Sequence, residues 1–161
     1  MSDYSAISGV SLALRELLNK NIHLSAGGLG DIGVELRSPK ELQEAGLSAV
    51  SVWLYRISQV VGMNKPPEPR SANEGQRTDL AVELHYLVTP VLPDPVTRQT
   101  VLGRVLQVFH DNPVLSGGEL EISFEALALQ ELSGLWEALS EPYQVSVGYV
   151  VRVVRIESRL A

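Results

Sequence analysis

The feature of this sequence that most constrains its fold is the alternation of helical and extended patterns along the chain. The clearest extended segment is 80–88, in which apolar side chains recur at every second position. The clearest helical segment starts at Asp94 and Pro95, which suit an N-cap and first turn, and ends at Asn112. The predicted class is therefore α/β, with α+β as the alternative, and a central mixed β-sheet flanked by about four helices.

The remaining elements follow from the same signals. An apolar stripe at helical spacing opens the chain between Tyr4 and Asn19. Ser38 and Glu41 have the spacing of a capping box, which predicts a short helix that stops at Gly46. Other patterns predict a loop at 21–31, strands at 34–36, 47–61, 120–124 and 145–156, a helix at 129–139, and an end to the 80–88 strand at Pro90.

Segment 47–61 is apolar on both faces, which favours a strand in the middle of the sheet. Large apolar residues on the predicted strands and helical stripes are expected to form the core, and truncating any of them to alanine is expected to destabilise the fold by about 2 to 5 kcal/mol. These residues are Trp53, Leu102, Leu106, Phe109 and Trp136.

Length and composition favour one soluble folded domain spanning residues 1–161, since 45% of the residues are apolar and 20% are charged. The formal net charge of −6 offers no positive field for nucleic acid or an anionic membrane. The absence of cysteine excludes disulfides and thiolate metal sites. The N-terminal residues do not resemble a secretory signal and no apolar run is long enough to span a bilayer, so we expect a cytoplasmic protein without a membrane span.

Segment 62–78 is rich in proline and nearly devoid of apolar residues, which predicts a long, flexible, exposed loop. Its cations Lys65, Arg70 and Arg77 stand out in an acidic chain. We expect them to be assembly contacts that meet carboxylates of a partner protein or of a neighbouring subunit.

The segment from Gly28 to Gly33 matches G-x-G-x-x-G, the phosphate-binding fingerprint of dinucleotide folds. That fingerprint needs a strand before it and a helix after it, whereas here a helical pattern precedes and extended residues follow. A flexible loop is the favoured interpretation. A small enzyme that binds a phosphate or nucleotide through this loop remains the alternative function.

No other pattern points to catalysis or to a metal. His23, His85 and His110 lie apart, without a spacing typical of metal ligands, and no G-x-S-x-G nucleophile motif occurs. His110 suits the C-terminal end of a helix, where a cation is favourable. A modest basic patch is possible from two groups of arginines: Arg98 and Arg104, and Arg152, Arg155 and Arg159. We predict no catalytic residue, no cofactor and no metal ion.

Several segments in a fixed order resemble one known family, the cap or tube-terminator proteins of contractile injection systems, which are phage-tail-like particles. Together they cover most of the chain after residue 47. They are SVWLYRIS at 51–58, DLAVELHYLVTP at 79–90, LGRVLQVFHDNPVLS at 102–116, ELSGLWEAL at 131–139 and SVGYVVRVVRIES at 146–158. Some relatives of this kind carry an additional C-terminal region, whereas this sequence ends at Ala161.

The resemblance implies a structural protein and not an enzyme. It implies a homo-oligomeric ring of six subunits that sits on the last ring of the inner tube, stops tube growth and links the inner tube protein to the sheath protein. Sheath attachment by strand addition at an open sheet edge would need no special side-chain motif. A chaperone or adaptor of the same particle is a further interpretation, which differs in whether the protein stays in the finished assembly.

Overall fold

Hydrogen bonding joins six strands into one mixed sheet in the computed structural model, which describes residues 3–22, 32–60 and 79–159. The sheet is accompanied by four α-helices, which confirms the predicted fold class. In chain order the elements are α1 (Ala6–Asn21), β1 (Gly33–Glu35), α2 (Pro39–Glu44), β2 (Ala49–Gln59), β3 (Leu80–Val91), α3 (Pro95–Asp111), β4 (Val114–Leu115), β5 (Leu120–Glu125), α4 (Leu129–Leu139) and β6 (Val147–Ile156).

The strand order across the sheet is β1-β2-β3-β6-β5-β4. The three-residue strand β1 runs parallel to β2, and every other neighbouring pair is antiparallel. The two outermost strands are therefore the two shortest ones. β1 pairs with only three residues of β2, and β4 pairs with only two residues of β5, so the other residues of β2 and β5 have no described strand beside them on that side.

One face of the sheet carries the main core, which is covered by α1 and α3. The alternation in β3 that predicted a strand places Glu83 and His85 away from this core and Val82, Leu84, Tyr86 and Val88 into it. The helices contribute side chains at spacings of three and four residues, as expected for one buried stripe. Central members of this core are Val10, Leu14, Leu18, Leu84, Tyr86, Val101, Val105, Phe109, Tyr149 and Val151.

Two hydrogen bonds fix α1 in place over the sheet. The buried hydroxyl groups of Ser11 and Tyr86 lie 2.6 Å apart and join α1 to β3. Burial raises the pKa of Tyr86 to about 12, so the phenol stays neutral and can donate or accept at ordinary pH. At the end of α1, Arg104 Nε of α3 donates to the backbone oxygen of Asn21 at 2.7 Å.

The helix starts that the sequence predicted are present. The Ser38 side chain accepts from the backbone N–H of Glu41, and the Glu41 carboxylate accepts from the backbone N–H of Ser38, which completes the capping box of α2. In α3 the Asp94 carboxylate accepts from the backbone N–H of Thr97 at 2.9 Å. Each cap satisfies a donor that the first turn of a helix leaves unpaired.

The opposite face of the sheet is covered by α2 and by the region around α4. Leu42 of α2 packs with Ala49 and Val91, which point to this face. Leu127, just before α4, packs so closely on Gly148 of β6 that a Cβ atom there would lie 2.9 Å from its Cδ1 atom and 3.0 Å from the backbone oxygen of Glu125. The sheet is thus a middle layer between two sets of helices.

Three of the five predicted core residues are buried: Leu102, Phe109 and Trp136. The prediction was wrong for Leu106, which is 37% exposed, and for Trp53, which is only half-buried. Leu106 belongs to the apolar stripe of α3 by spacing, but it lines an open groove beside β5, and no other described element covers it. Trp53 points to the face opposite the main core.

The predicted strands are present, with boundaries that shift by one or two residues except in β3, which is three residues longer. β3 continues to Val91, with Pro90 in register with Val50, because proline lacks a donor but its backbone angle still suits an extended chain. The two-residue strand β4 and the turn at Ser116–Gly118 were not predicted. The strand predicted at 47–61 is β2 at Ala49–Gln59, yet β1 pairs with only the first three residues of β2.

We predict that Phe109→Ala and Leu106→Ala have clearly different effects on stability, although both residues belong to the apolar stripe of α3. Phe109→Ala should lower the free energy of unfolding by about 3 to 5 kcal/mol, because it removes a buried ring and leaves a cavity. Leu106→Ala should lower it by about 1 kcal/mol, because that side chain keeps contact with water. Urea denaturation followed by circular dichroism measures both, and equal losses would contradict the assignment of Leu106 to the surface.

We also predict opposite signs for two glycine-to-alanine changes. Gly148→Ala should destabilise the fold by about 1 to 3 kcal/mol, because the new methyl group meets Leu127 and the Glu125 backbone. Gly103→Ala, at an exposed position of α3 with nothing within 4 Å, should stabilise it by about 0.5 to 1 kcal/mol through helix propensity. Thermal melts of the two variants beside the unchanged protein give the comparison. A Gly148→Ala protein as stable as Gly103→Ala would show that Leu127 does not pack there.

Candidate assembly surfaces

The predicted assembly contacts Lys65, Arg70 and Arg77 lie outside the described residues, as do His23 and most of the glycine-rich segment 28–33. The elements on either side of that segment are described. Helix α1 precedes it, and β1 begins at Gly33 itself. This order is the reverse of the strand-then-helix arrangement that a dinucleotide fingerprint requires, so the phosphate-binding interpretation of the glycines is wrong on topology.

A polar cluster lies on the sheet face opposite the main core, centred on His85. Nε2 of His85 lies 2.8 Å from the Ser58 hydroxyl and Nδ1 lies 2.9 Å from Oε2 of Glu125. Oε2 of Glu83 lies 3.9 Å from Nε2 of His85. Oε1 of Glu83 forms a salt bridge with Nε of Arg152 at 3.1 Å. Both ring nitrogens of this buried histidine therefore have a partner.

The arrangement of this cluster is that of a structural link. It joins four strands, with Ser58 from β2, Glu83 and His85 from β3, Arg152 from β6 and Glu125 from β5. Burial, and next the Glu125 carboxylate, raise the pKa of nearby Tyr55 to about 12, so that phenol remains protonated. In the parts of the chain that the structure describes, no three histidine or carboxylate side chains are placed to hold a metal ion. The sequence placed His85 in a strand, but it gave no signal that Ser58 and Glu125 would meet it.

Three of the five arginines that the sequence grouped as a basic patch are engaged in separate contacts. Arg104 binds the end of α1 and the side chain of Gln107. Arg152 pairs with Glu83, and the Arg159 guanidinium lies 5.7 Å from the centre of the Tyr4 ring. His110 lies in the last turn of α3, at the helix end that the sequence predicted.

The first exposed surface is an apolar groove of about 480 Å³ between α3 and β5, which we call the β5 surface. Phe124 is 56% exposed there and stacks edge-on against Tyr149, with ring centres 5.7 Å apart. Strand β4 pairs only with Leu120 and Glu121, so the outer side of 123–125 has no strand partner among the described residues. The groove is lined by Leu106, Gln107, Phe109, His110, Pro113, Ile122, Phe124 and Tyr149.

The second surface is the outer side of β2 over residues 52–59, which we call the β2 surface. β1 pairs only with Ala49–Ser51, and no other described strand lies beside the rest of β2 on this side. Ile57 is 50% exposed and Arg56 is also exposed. Unpaired strand backbone next to an exposed apolar side chain is the feature by which proteins add a strand from a partner.

A third exposed apolar area lies where α3 begins. Val96, Tyr143 and Val145 are all exposed there, and a smaller groove of about 240 Å³ runs between Pro95 and Gln144. Scattered exposed apolar residues are common on soluble proteins, so this area alone identifies no partner. The β5 and β2 surfaces differ from it because each combines apolar side chains with unpaired strand backbone.

Solved structures with the same fold are known. The chain aligns with the sheath/tube terminator of PVC, an extracellular contractile injection system, in its extended state, with a TM-score of 0.68 and 21% identity over 95% of this chain and 57% of that one. It aligns with the tube-terminating cap of the anti-feeding prophage AFP with a TM-score of 0.68 and 20% identity over 96% of this chain and 56% of that one. At these identities the likeness establishes a shared fold, and this chain spans less than three-fifths of either protein.

A comparison with curated protein sequences finds no match. Within the described ranges, none of the helices has both the length and the apolar character that crossing a bilayer requires.

The sequence matches one family model, the Pvc16 N-terminal domain, over residues 9–161. Because this match leaves out only the first eight residues, the chain belongs to the Pvc16 N-terminal domain family.

Proposed function

We propose that this protein is the cap that ends the inner tube of a contractile injection system and links the tube to the surrounding sheath. Its role in this proposal is structural and not enzymatic. The observation that carries the proposal is the fold match to a sheath/tube terminator and to a tube-terminating cap, which takes in 95% and 96% of this chain. The family match over residues 9–161 supports the same conclusion independently of the structure.

The fold suits a terminator for physical reasons. A protein that stops a growing tube must bind the last tube ring firmly and keep its shape under load. A sheet with a large core under α1 and α3 and a small apolar cluster at α2 on its other face supplies such a rigid body, since a closely packed core resists deformation. Attachment to the sheath or to a neighbouring copy can use strand addition, because parts of β2 and β5 have backbone without a described strand partner.

The assembly in this proposal is a ring of six copies, with the inner tube protein on one side and the sheath protein around it. A cap on a symmetric tube must match the symmetry of the tube, and copies related by rotation give every tube subunit the same contact. The acidic charge of the chain agrees with protein partners in place of nucleic acid. The particle is assembled in the cytoplasm, and the cap is one of its structural components.

Within this assembly the cations Lys65, Arg70 and Arg77 act as contacts to carboxylates of the tube, the sheath or a neighbouring copy. The described residues on either side of segment 61–78 lie next to each other in the sheet. Gln59 pairs with Val82, and the backbone N–H of Val60 donates to the oxygen of Ala81 at 3.2 Å, so the segment leaves and rejoins the sheet at one point. An exposed ion pair contributes only about 0 to 1 kcal/mol, but a ring repeats each contact.

We predict that particles assembled without this protein have inner tubes of irregular length or unstable sheaths, because nothing then stops the addition of tube subunits. Electron microscopy of particles from a deletion strain and from the same strain supplied with the gene in trans measures tube length. Uniform, stable particles from the deletion strain would contradict the proposal. Quantitative mass spectrometry of finished particles distinguishes a cap, which is retained, from a chaperone, which is not.

We predict that replacing Lys65, Arg70 and Arg77 together by serine reduces incorporation of the protein into particles and weakens its dependence on salt, because screened ion pairs are lost. The matched control replaces Lys20, Arg37 and Arg155 by serine, which removes the same three charges from exposed positions elsewhere. Circular dichroism checks the fold of both variants, and incorporation is measured at two salt concentrations. Equal incorporation of the two variants would remove this segment from the contacts.

A further inference from the structure

We propose that neighbouring copies in the ring join through their sheets, with the β5 surface of one copy paired to the β2 surface of the next. The inference rests on the ring of the proposed function and adds the residues that hold it together. In detail, the outer side of 123–125 lies beside the outer side of 53–57 of the neighbouring copy. The sheet then continues from one subunit to the next.

The two surfaces lie at the same height along the strands. Strand register connects Phe124 through Tyr149 and Tyr86 to Leu54. Two residues away on β5, and three residues away on β2 because a bulge lies between Leu54 and Arg56, it connects Ile122 through Val151 and Leu84 to Ile57. A copy rotated about an axis along the strands therefore brings its β2 surface beside the β5 surface with little sliding.

The direction of the strands is also correct for pairing. β2 is antiparallel to β3, β3 to β6, and β6 to β5, so β2 and β5 of one copy run in opposite directions. Rotation about an axis along the strands preserves these directions. The β5 strand of one copy and the β2 strand of the next are then antiparallel, as in the rest of the sheet apart from β1.

The apolar side chains of the two surfaces lie on the same face. Ile57 is in register with Leu84, and Phe124 with Tyr149, and both partners belong to the main core. In the continued sheet the half-exposed Ile57 of one copy reaches Phe124 and the groove of the next. This contact removes from water two large apolar side chains that are 50% and 56% exposed in the single chain.

The charges on the other face are complementary. Register connects Arg56 through His85 and Val150 to Ser123, so the pairing brings Arg56 opposite Ser123 of the next copy. Glu121 and Glu125 stand two residues to either side of Ser123 on the same face. Side chains at such diagonal positions are within reach of a long side chain, so Arg56 meets two carboxylates.

The two surfaces occupy opposite sides of one sheet and differ from each other. Such a contact is head-to-tail. If the rotation from one copy to the next adds up to a full turn, the copies form a closed ring without free ends. Each copy then contributes one β5 surface and one β2 surface. In this arrangement the neighbouring copy, and not the sheath, occupies these two stretches of backbone.

The test uses the absence of cysteine in this chain. Arg56→Cys and Ser123→Cys are prepared as two single variants and as one double variant, and each is oxidised in assembled particles and in the free ring. We expect a covalent dimer when the single variants are mixed, because paired strand positions bring the two sulfur atoms within bonding distance. The double variant should give a ladder of bands that ends at the number of copies in the ring.

The control pair joins Arg56→Cys with Glu16→Cys, an exposed position of α1, and should give no specific dimer. Rings seen by electron microscopy that contain no Arg56–Ser123 cross-link would overturn the inference and leave the proposed function intact. Cross-linked rings that fail to end tubes would support the inference and contradict the proposed function. If a strand of the sheath occupies the β5 surface, the Ser123→Cys variant cross-links to a sheath cysteine variant instead, which also overturns the inference.

A second variant tests the apolar part of the contact. Phe124→Ser should raise the protein concentration needed for half-maximal ring assembly about tenfold, since an aromatic anchor is removed from the contact. Leu129→Ser is the matched control, because Leu129 is 67% exposed on α4 and takes no part in either surface. Light scattering measures assembly, and thermal melts confirm that both variants fold. Equal assembly of the two variants would contradict the contact.

Discussion

The structure depends on the burial of β3 on both of its faces. Eleven of its twelve residues are buried or half-buried, and its register with β2 and β6 fixes the other long strands. A strand that is buried on both sides needs a cover on each side. This requirement explains why α1 and α3 lie on one face while α2 and α4 lie on the other, and why the chain has to alternate between helix and strand.

The sheet is complete at its centre and incomplete at its sides. β1 and β4 have only three and two residues, so they protect only a small part of β2 and β5. Monomeric proteins usually cover the edges of their sheets or place charged side chains there, because an unpaired edge strand can pair with another chain. Here exposed apolar side chains, Ile57 and Phe124, accompany the unpaired stretches. A protein that works inside an assembly can keep these sides open, since its partners cover them.

The polar cluster at His85 shows how the two faces of the sheet are specialised. The main core on the other face is apolar except for the hydroxyl groups of Ser11 and Tyr86, which form a hydrogen bond with each other. Around His85, two carboxylates, a serine and an arginine contact one another across four strands. A partly buried network of this kind adds little net stability, but it disfavours other registers, because a shift by one residue would leave charged groups without partners.

The sequence by itself determined the elements, since capping and periodicity are local: Asp94 and Pro95 start α3, the Ser38 capping box starts α2, and α4 spans the predicted 129–139. Its ordered segments also indicated the family. Only the tertiary structure decided the strand order, the meeting of His85 with Glu125, and the exposure of Leu106 despite its place on an apolar stripe. The physical reason is that a local pattern reports which side of an element avoids water, whereas the neighbour that covers that side comes from residues distant in the chain.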